Sequence, residues 1–193
     1  IISLFLFSSV FYYSGSMARI NNAYTSTHNY IYDNSSHYWK HKSSIVPRLN
    51  LWHASINMIN DHMILGVGLN NYTKSLDSQI KTGKVQPIRN DRSNYTAGMN
   101  HAHNQYLDIF AKTGIIGFLT LIYFIGMNYY HFYRNIKNNE DNTPGFMGAL
   151  VLVSYASYMM YHTILSHQQS ILFLTFTLAI LAGLSYSKSI ERN

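Results

Sequence analysis

Three apolar runs late in the chain restrict it to very few folds. Ile115–Phe132, Phe146–Tyr161 (continuing to Ile164) and Ser170–Ser185 hold almost no charge. Each has about the length a helix needs to cross ~30 Å of hydrocarbon at ~1.5 Å per residue. A fourth run, Ile1–Tyr13, is too short to span alone. The expected fold is all-α, a polytopic integral membrane protein with three transmembrane helices between residues 113 and 187. Mean hydropathy near zero hides this pattern, because residues 15–112 are rich in Asn, Ser, Tyr, His, Lys and Arg. The first residue is not Met and already lies in an apolar run. Residues 1–14 therefore read as the end of a transmembrane helix in a longer protein. A signal peptide would need a basic start and a small-residue cleavage site, and neither is visible.

Short loops set the orientation. Arg134 and Lys137 follow the first full run, and Lys188 and Arg192 follow the last. The positive-inside rule places both groups, including a tail at 188–193, in the cytoplasm. Ser166–Gln169 and the large loop 15–112 then face outward. The net charge of +6 sits mostly in that loop, where ten Lys and Arg face five Asp. Such a balance invites a nucleic-acid reading, but on a membrane protein an anionic lipid or lipid phosphate is the better partner. With no cysteine there is neither a disulfide framework nor a thiolate metal site.

Within the loop, Tyr13–Trp39 shows no clear periodicity, and Asn21-Asn22, Asn29 and 33–36 read as turn signals. Order returns near Pro47, which suits the first turn of a helix. Leu49, Trp52, Ile56, Ile59 and Met63 fall on one helical face, so this element is expected to be amphipathic and to lay that stripe on the membrane bundle or surface. Gly66-Val67-Gly68 ends it. Residues 69–99, with Lys74, Lys81, Lys84, Arg89 and Arg92, read as a looser flap. A second amphipathic helix is expected from about His101 to Lys112, with Asn100 as N-cap and Gly114 ending or kinking it.

The chemistry-bearing candidates cluster at these helix ends. His103 falls in the expected first turn, where the dipole disfavours imidazolium and leaves a ring able to accept a proton. Asn104 beside it could orient substrate hydroxyls, with Tyr106 one turn further in. The plainer reading is an interfacial histidine bonded to loop backbone. Arg48 stands at the start of the first helix, where the dipole opposes a cation unless an anion sits between it and the free N–H groups. Guanidinium pairs bidentately with diphosphate; the plainer alternative is an arginine reaching lipid headgroups. His101 and His103 share a metal-like spacing, but on a helix their side chains diverge by about 200°. His37 and His41 lack a third ligand, and no metal is expected. His162 and His167 read as markers of the outer membrane interface, and Tyr129, Tyr130, Tyr155, Tyr158 and Tyr161 as an interfacial or lumen-facing aromatic set. No phosphate loop, dinucleotide fingerprint or Ser–His–Asp set implies a cofactor or another chemistry.

Three motifs in order carry a resemblance. They are Arg48-Leu49-Asn50-Leu51-Trp52, Gly66-Val67-Gly68, and His103-Asn104-Gln105-Tyr106-Leu107 followed by Gly114-Ile115-Ile116-Gly117. Together they resemble the O-antigen ligase and polymerase family of bacterial membrane glycosyltransferases, over roughly residues 47–133. The resemblance implies a GT-C-like helical bundle in the bacterial inner membrane, with loop 15–112 facing the periplasm and carrying the active site. It implies transfer of a glycan from undecaprenyl diphosphate to an acceptor hydroxyl, without metal or cofactor. His103 would take the acceptor's proton and Arg48 would hold the departing diphosphate; Asn104, Tyr106, Trp52, Arg89 and Arg92 would contact or steer substrate. Lipid A core, another repeat unit and a protein hydroxyl all remain open as acceptor. A non-catalytic membrane transporter or scaffold, whose basic loop docks anionic lipid, is the reading from another class.

Overall fold

A computed structural model describes residues 15–32, 45–86, 99–138 and 141–190, and all regular structure among them is helical. The helices are α1 (Ser16–Tyr32), α2 (Ile45–Asp61), α3 (Tyr72–Lys81), α4 (Gln105–Asn138), α5 (Thr143–Tyr158) and α6 (Gln168–Ile190), with a 3₁₀ turn at Ile164–Ser166. The chain divides into two units, residues 1–50 with 86–96, and 51–85 with 97–193. Arg89, Arg92, His37 and His41, like the apolar run at 1–14, lie outside the described residues.

In the first unit, α1 replaces the turns expected at Asn21, Asn22 and Asn29, which are helical; residues 33–36 lie outside the described residues. Contacts one turn apart compensate for their weak propensity: the His28 ring packs 6.2 Å from Tyr24 and 4.7 Å from Tyr32. Thr27 Oγ1 also donates to the Ala23 carbonyl at 2.8 Å.

The second unit carries the remainder of α2. Its inward face matches the anticipated stripe only in part: Ile59 is buried and Leu49 and Trp52 are half-buried. Leu51, Ala54, Ser55 and Met58 are buried, whereas Ile56 and Met63 are exposed. The reason is polar pairing with α3. Tyr72 and Ser55 share a 2.8 Å hydrogen bond, Gln79 Nε2 donates to the Ala54 carbonyl, and Asn57 donates to Gln79 Oε1. A face holding such groups gains by burial only against complementary ones. The expected flap thus contains an ordered helix docked on α2.

Gly114 breaks α4 with φ +68°, ψ −165°, as the sequence anticipates. The break redirects backbone bonds. Ile115 N–H, which an unbroken helix would give to the Ala111 carbonyl, donates to Met63 O at 2.8 Å. Val67 N–H takes the vacated Ala111 carbonyl at 2.8 Å, and Gly68 N–H takes that of Lys112 at 2.9 Å. These three groups freed by the break thus regain partners, and the segment after α2 is locked to the kink.

Beyond the kink, α4, α5 and α6 pack around Phe132, Leu152, Leu174, Leu178 and Leu181. Their outward faces expose Leu119, Tyr123, Phe146, Phe173, Phe176 and Ile180. Two helices, α4 and α6 (the latter over Gln168–Tyr186), are long and apolar enough to cross a membrane, and most of their apolar stretches are uncovered. A soluble core helix would be mostly covered; such contiguous exposed apolar surface needs a nonaqueous partner. The middle run differs from expectation. Its helix α5 has 16 residues, about 24 Å at ~1.5 Å per residue and short of ~30 Å of hydrocarbon. The chain turns at Met159 to make the contacts described next.

Candidate functional site

The segment before α4 is built by a cap and a set of stitches. Asn104, not Asn100, caps the helix, its Oδ1 accepting from Leu107 N–H at 3.0 Å. Its Nδ2 donates to the Met160 carbonyl at 2.8 Å, so both polar ends of this side chain are engaged. Gln105 N–H donates to Met159 O, and Gln105 Oε1 accepts from Leu165 N–H, both at 2.8 Å. Tyr106 OH donates to the Ala156 carbonyl at 2.9 Å. The carbonyls of residues 156, 159 and 160 are ones the end of α5 leaves without helical partners, which is why it can receive a foreign segment.

His103 therefore stands before the helix rather than in its first turn. Its backbone has φ +52°, and it is the sole non-glycine with positive φ among the described residues. Such a conformation costs about 1–3 kcal/mol and persists only where the surroundings impose it. They do so here on both sides. Ala102 is fully buried, and its N–H donates to Asp108 Oδ1 at 3.0 Å. His103 N–H donates to His101 Nδ1 at 3.3 Å, an acceptor only when that nitrogen is unprotonated. Burial holds the His101 pKa below its ordinary value, with Lys112, His162 and His167 adding to the effect. The ring's neutral form and its acceptor role agree.

The helical divergence expected of His101 and His103 is absent because the backbone there is not helical. Their rings meet edge to face with centroids 4.2 Å apart. His162 and His167 are drawn in as well, His162 lying 6.3 Å from His103 and 5.3 Å from His167. Among the described residues, no three metal-ligating side chains converge as a metal site requires.

Below this cluster, Asp108 and Lys112 form a buried pair at 2.8 Å, one turn apart with the acid nearer the N-terminus. Lys112 Nζ also lies 5.3 Å from the Tyr72 ring centroid, which ties α4 to α3. Tyr72 is buried, and that burial raises its pKa, so it stays protonated.

Of the sequence candidates, the structure brings His103, Asn104 and Tyr106 together. Trp52 is half-buried on α2, its indole N–H enclosed and without a hydrogen-bond partner among the described residues. Arg48 lies in the first turn of α2, within the first unit. Sequence reasoning passed over Gln105, Asp108, Lys112 and His162 as site-forming residues. The Asp108–Lys112 spacing was a local signal; the partners of Gln105, and His103 as a ring partner of His162, lie more than fifty positions away.

Comparison with known proteins adds a separate line of support. The model of the O-antigen ligase family matches residues 1–122. The chain is 26% identical over 133 residues to an uncharacterized protein of Haemophilus influenzae, covering 68% of this chain and 32% of that one. It is 28% identical over 132 residues to a Rickettsia conorii protein named "Putative polysaccharide ligase", covering 68% and 28% respectively. The chain thus spans about a third of the length of these relatives.

Proposed function

The chain belongs to the O-antigen ligase family, and from that premise we propose that it carries the acceptor-activating loop of a glycosyltransferase. The longer protein moves a polysaccharide from undecaprenyl diphosphate to a hydroxyl of lipid A core. It does so in the bacterial inner membrane, as a multi-pass GT-C-like bundle whose loop 15–112 faces the periplasm. The acceptor oxygen attacks the anomeric carbon, the bond from that carbon to the diphosphate oxygen breaks, and the acceptor's proton passes to the His103 imidazole. Arg48 takes the negative charge of the departing diphosphate through its two-point guanidinium contact. Arg89 and Arg92 steer the anionic donor, and Trp52 lines its path.

One observation carries this reading. His103 is held in a strained left-handed conformation by a neighbour kept neutral, on a segment stitched to α5 on its other side. Strain of this kind is tolerated where a side chain must be aimed. Asn104 and Tyr106 serve as positioning residues for His103, since their polar atoms bond to the end of α5. The apolar surfaces of α4 and α6 support the membrane setting.

The test uses the complete protein in proteoliposomes with undecaprenyl-diphosphate-linked glycan and O-antigen-free lipopolysaccharide. Glycan should appear on the lipid A core. Its absence, while the donor binds, would overturn the reading.

A further inference from the structure

His162 and His167 lie outside the motif that holds His103, yet the fold gathers them beside it. They line a cleft of about 550 Å³ between the end of α5 and the start of α6, with Ser154, Tyr155, Tyr158 and Gln169. That volume falls within the ~300–1,000 Å³ usual for small-molecule sites. Tyr155 OH donates to the Ser170 carbonyl at 3.2 Å and joins the two helices across the wall. Tyr158 stacks on His162 at 5.4 Å with planes 25° apart, giving a continuous aromatic surface. His162 Nδ1 is enclosed and has no hydrogen-bond partner among the described residues.

The lining narrows the ligand. It holds no Lys, Arg, Asp or Glu. A diphosphate calls for cations and a divalent metal for carboxylates, so neither suits the cleft. A polyprenyl or acyl chain could cover Ile164 and the faces of the aromatic rings, but would leave the imidazole, carboxamide and hydroxyl groups facing hydrocarbon, which is costly. A neutral polyhydroxylated ring satisfies all of them. Its C–H face lies on the Tyr158–His162 surface, while its hydroxyls donate to and accept from the imidazoles and Gln169. The donor's first sugar is bonded directly to its diphosphate, so that sugar must sit beside cations, which this cleft lacks. The acceptor has no such requirement.

We propose that the cleft lined by Tyr158, His162, His167 and Gln169 is the acceptor-sugar subsite, placing that sugar beside His103. This rests on the glycosyltransfer reading above and names the substrate on the histidine side.

The complete protein in nanodiscs is assayed for transfer while acceptor and donor are varied in turn. The variants are Tyr158→Ala and Gln169→Ala, both at solvent-exposed positions. Each should raise the acceptor KM about tenfold, the scale of one lost ring contact or hydrogen bond, with kcat and the donor KM within about twofold. Tyr158→Phe keeps the ring and should stay near wild type. In parallel, saturation-transfer NMR measures direct binding of core oligosaccharide released from O-antigen-free lipopolysaccharide. Wild-type binding that both alanine variants lose supports the subsite even if no transfer occurs, in which case only the glycosyltransfer reading fails. An unchanged acceptor KM with unchanged oligosaccharide binding overturns the subsite. A rise confined to the donor KM overturns its assignment to the acceptor.

Discussion

Gly66 and Gly114 form a reciprocal pair: a Cβ on Gly66 would strike the backbone of Lys112 and Thr113, and one on Gly114 the backbone of Ile64 and Leu65. Both have positive φ, +67° and +68°. The motif glycines, one before α3 and one within α4, are thus halves of one joint, through which the segment after α2 grips the kink of α4.

Substituting either glycine should therefore be costly. Gly66→Ala or Gly114→Ala is expected to lose about 2 kcal/mol or more. Left-handed backbone accounts for ~1–2 kcal/mol of this, and displaced backbone for the rest. Gly126 is the control, since it is helical and has open space around its α-carbon. Gly126→Ala should be neutral or stabilising by about 0.5–1 kcal/mol. Thermal unfolding in detergent compares the three; equal midpoints for Gly114→Ala and wild type would show that the joint can yield.

His103→Ala should reduce glycan transfer by about 10²–10⁴ while the protein stays folded and binds donor, as expected for loss of a general base. His101→Ala should be intermediate, because it removes the acceptor for His103 N–H but not the reacting group. His101→Asn, which restores an acceptor, should recover much of that loss. Retention of more than about a tenth of the rate in His103→Ala would end its catalytic assignment.

Acid should disable the same arrangement. Burial depresses the His101 pKa below 6.5, so on acidification the unfolded chain takes up a proton before the folded one. The stability contribution is full above about pH 6.5 and is lost as pH falls from there through the folded value. Protonation also converts Nδ1 from acceptor to donor and breaks the bond to His103 N–H. Unfolding midpoints measured from pH 8 to 5 should fall with pH in wild type, and less in His101→Asn. Parallel curves for the two proteins would count against this account.

Arg48→Lys should impair transfer at least about tenfold, because an ammonium cannot make the planar two-point contact with diphosphate. Arg89→Lys and Arg92→Lys keep the charge and should have small effects that vanish at high salt, where steering is screened. Equal rates for wild type and Arg48→Lys at matched expression would remove Arg48 from the mechanism.

Hydropathy and spacing by themselves determined the helical class, the apolar runs, the helix after Pro47 and the break at Gly114, while the resemblance of three short motifs pointed to the family. These are local properties: a residue's neighbours in the chain suffice to express them. Tertiary structure decided which face of α2 turns inward, because Tyr72 and Gln79 reward the polar side with Ser55 and the Ala54 carbonyl. It ordered α3 where the charge pattern suggested a flap. It also moved the cap from Asn100 to Asn104 and freed His103 from the helix, since the end of α5 offers carbonyls that Asn104, Gln105 and Tyr106 can satisfy. The meeting of His103 with His162 was illegible for the same reason. No periodicity links residues so far apart in sequence, and only the packing of α4 against α5 brings their rings within 6.3 Å.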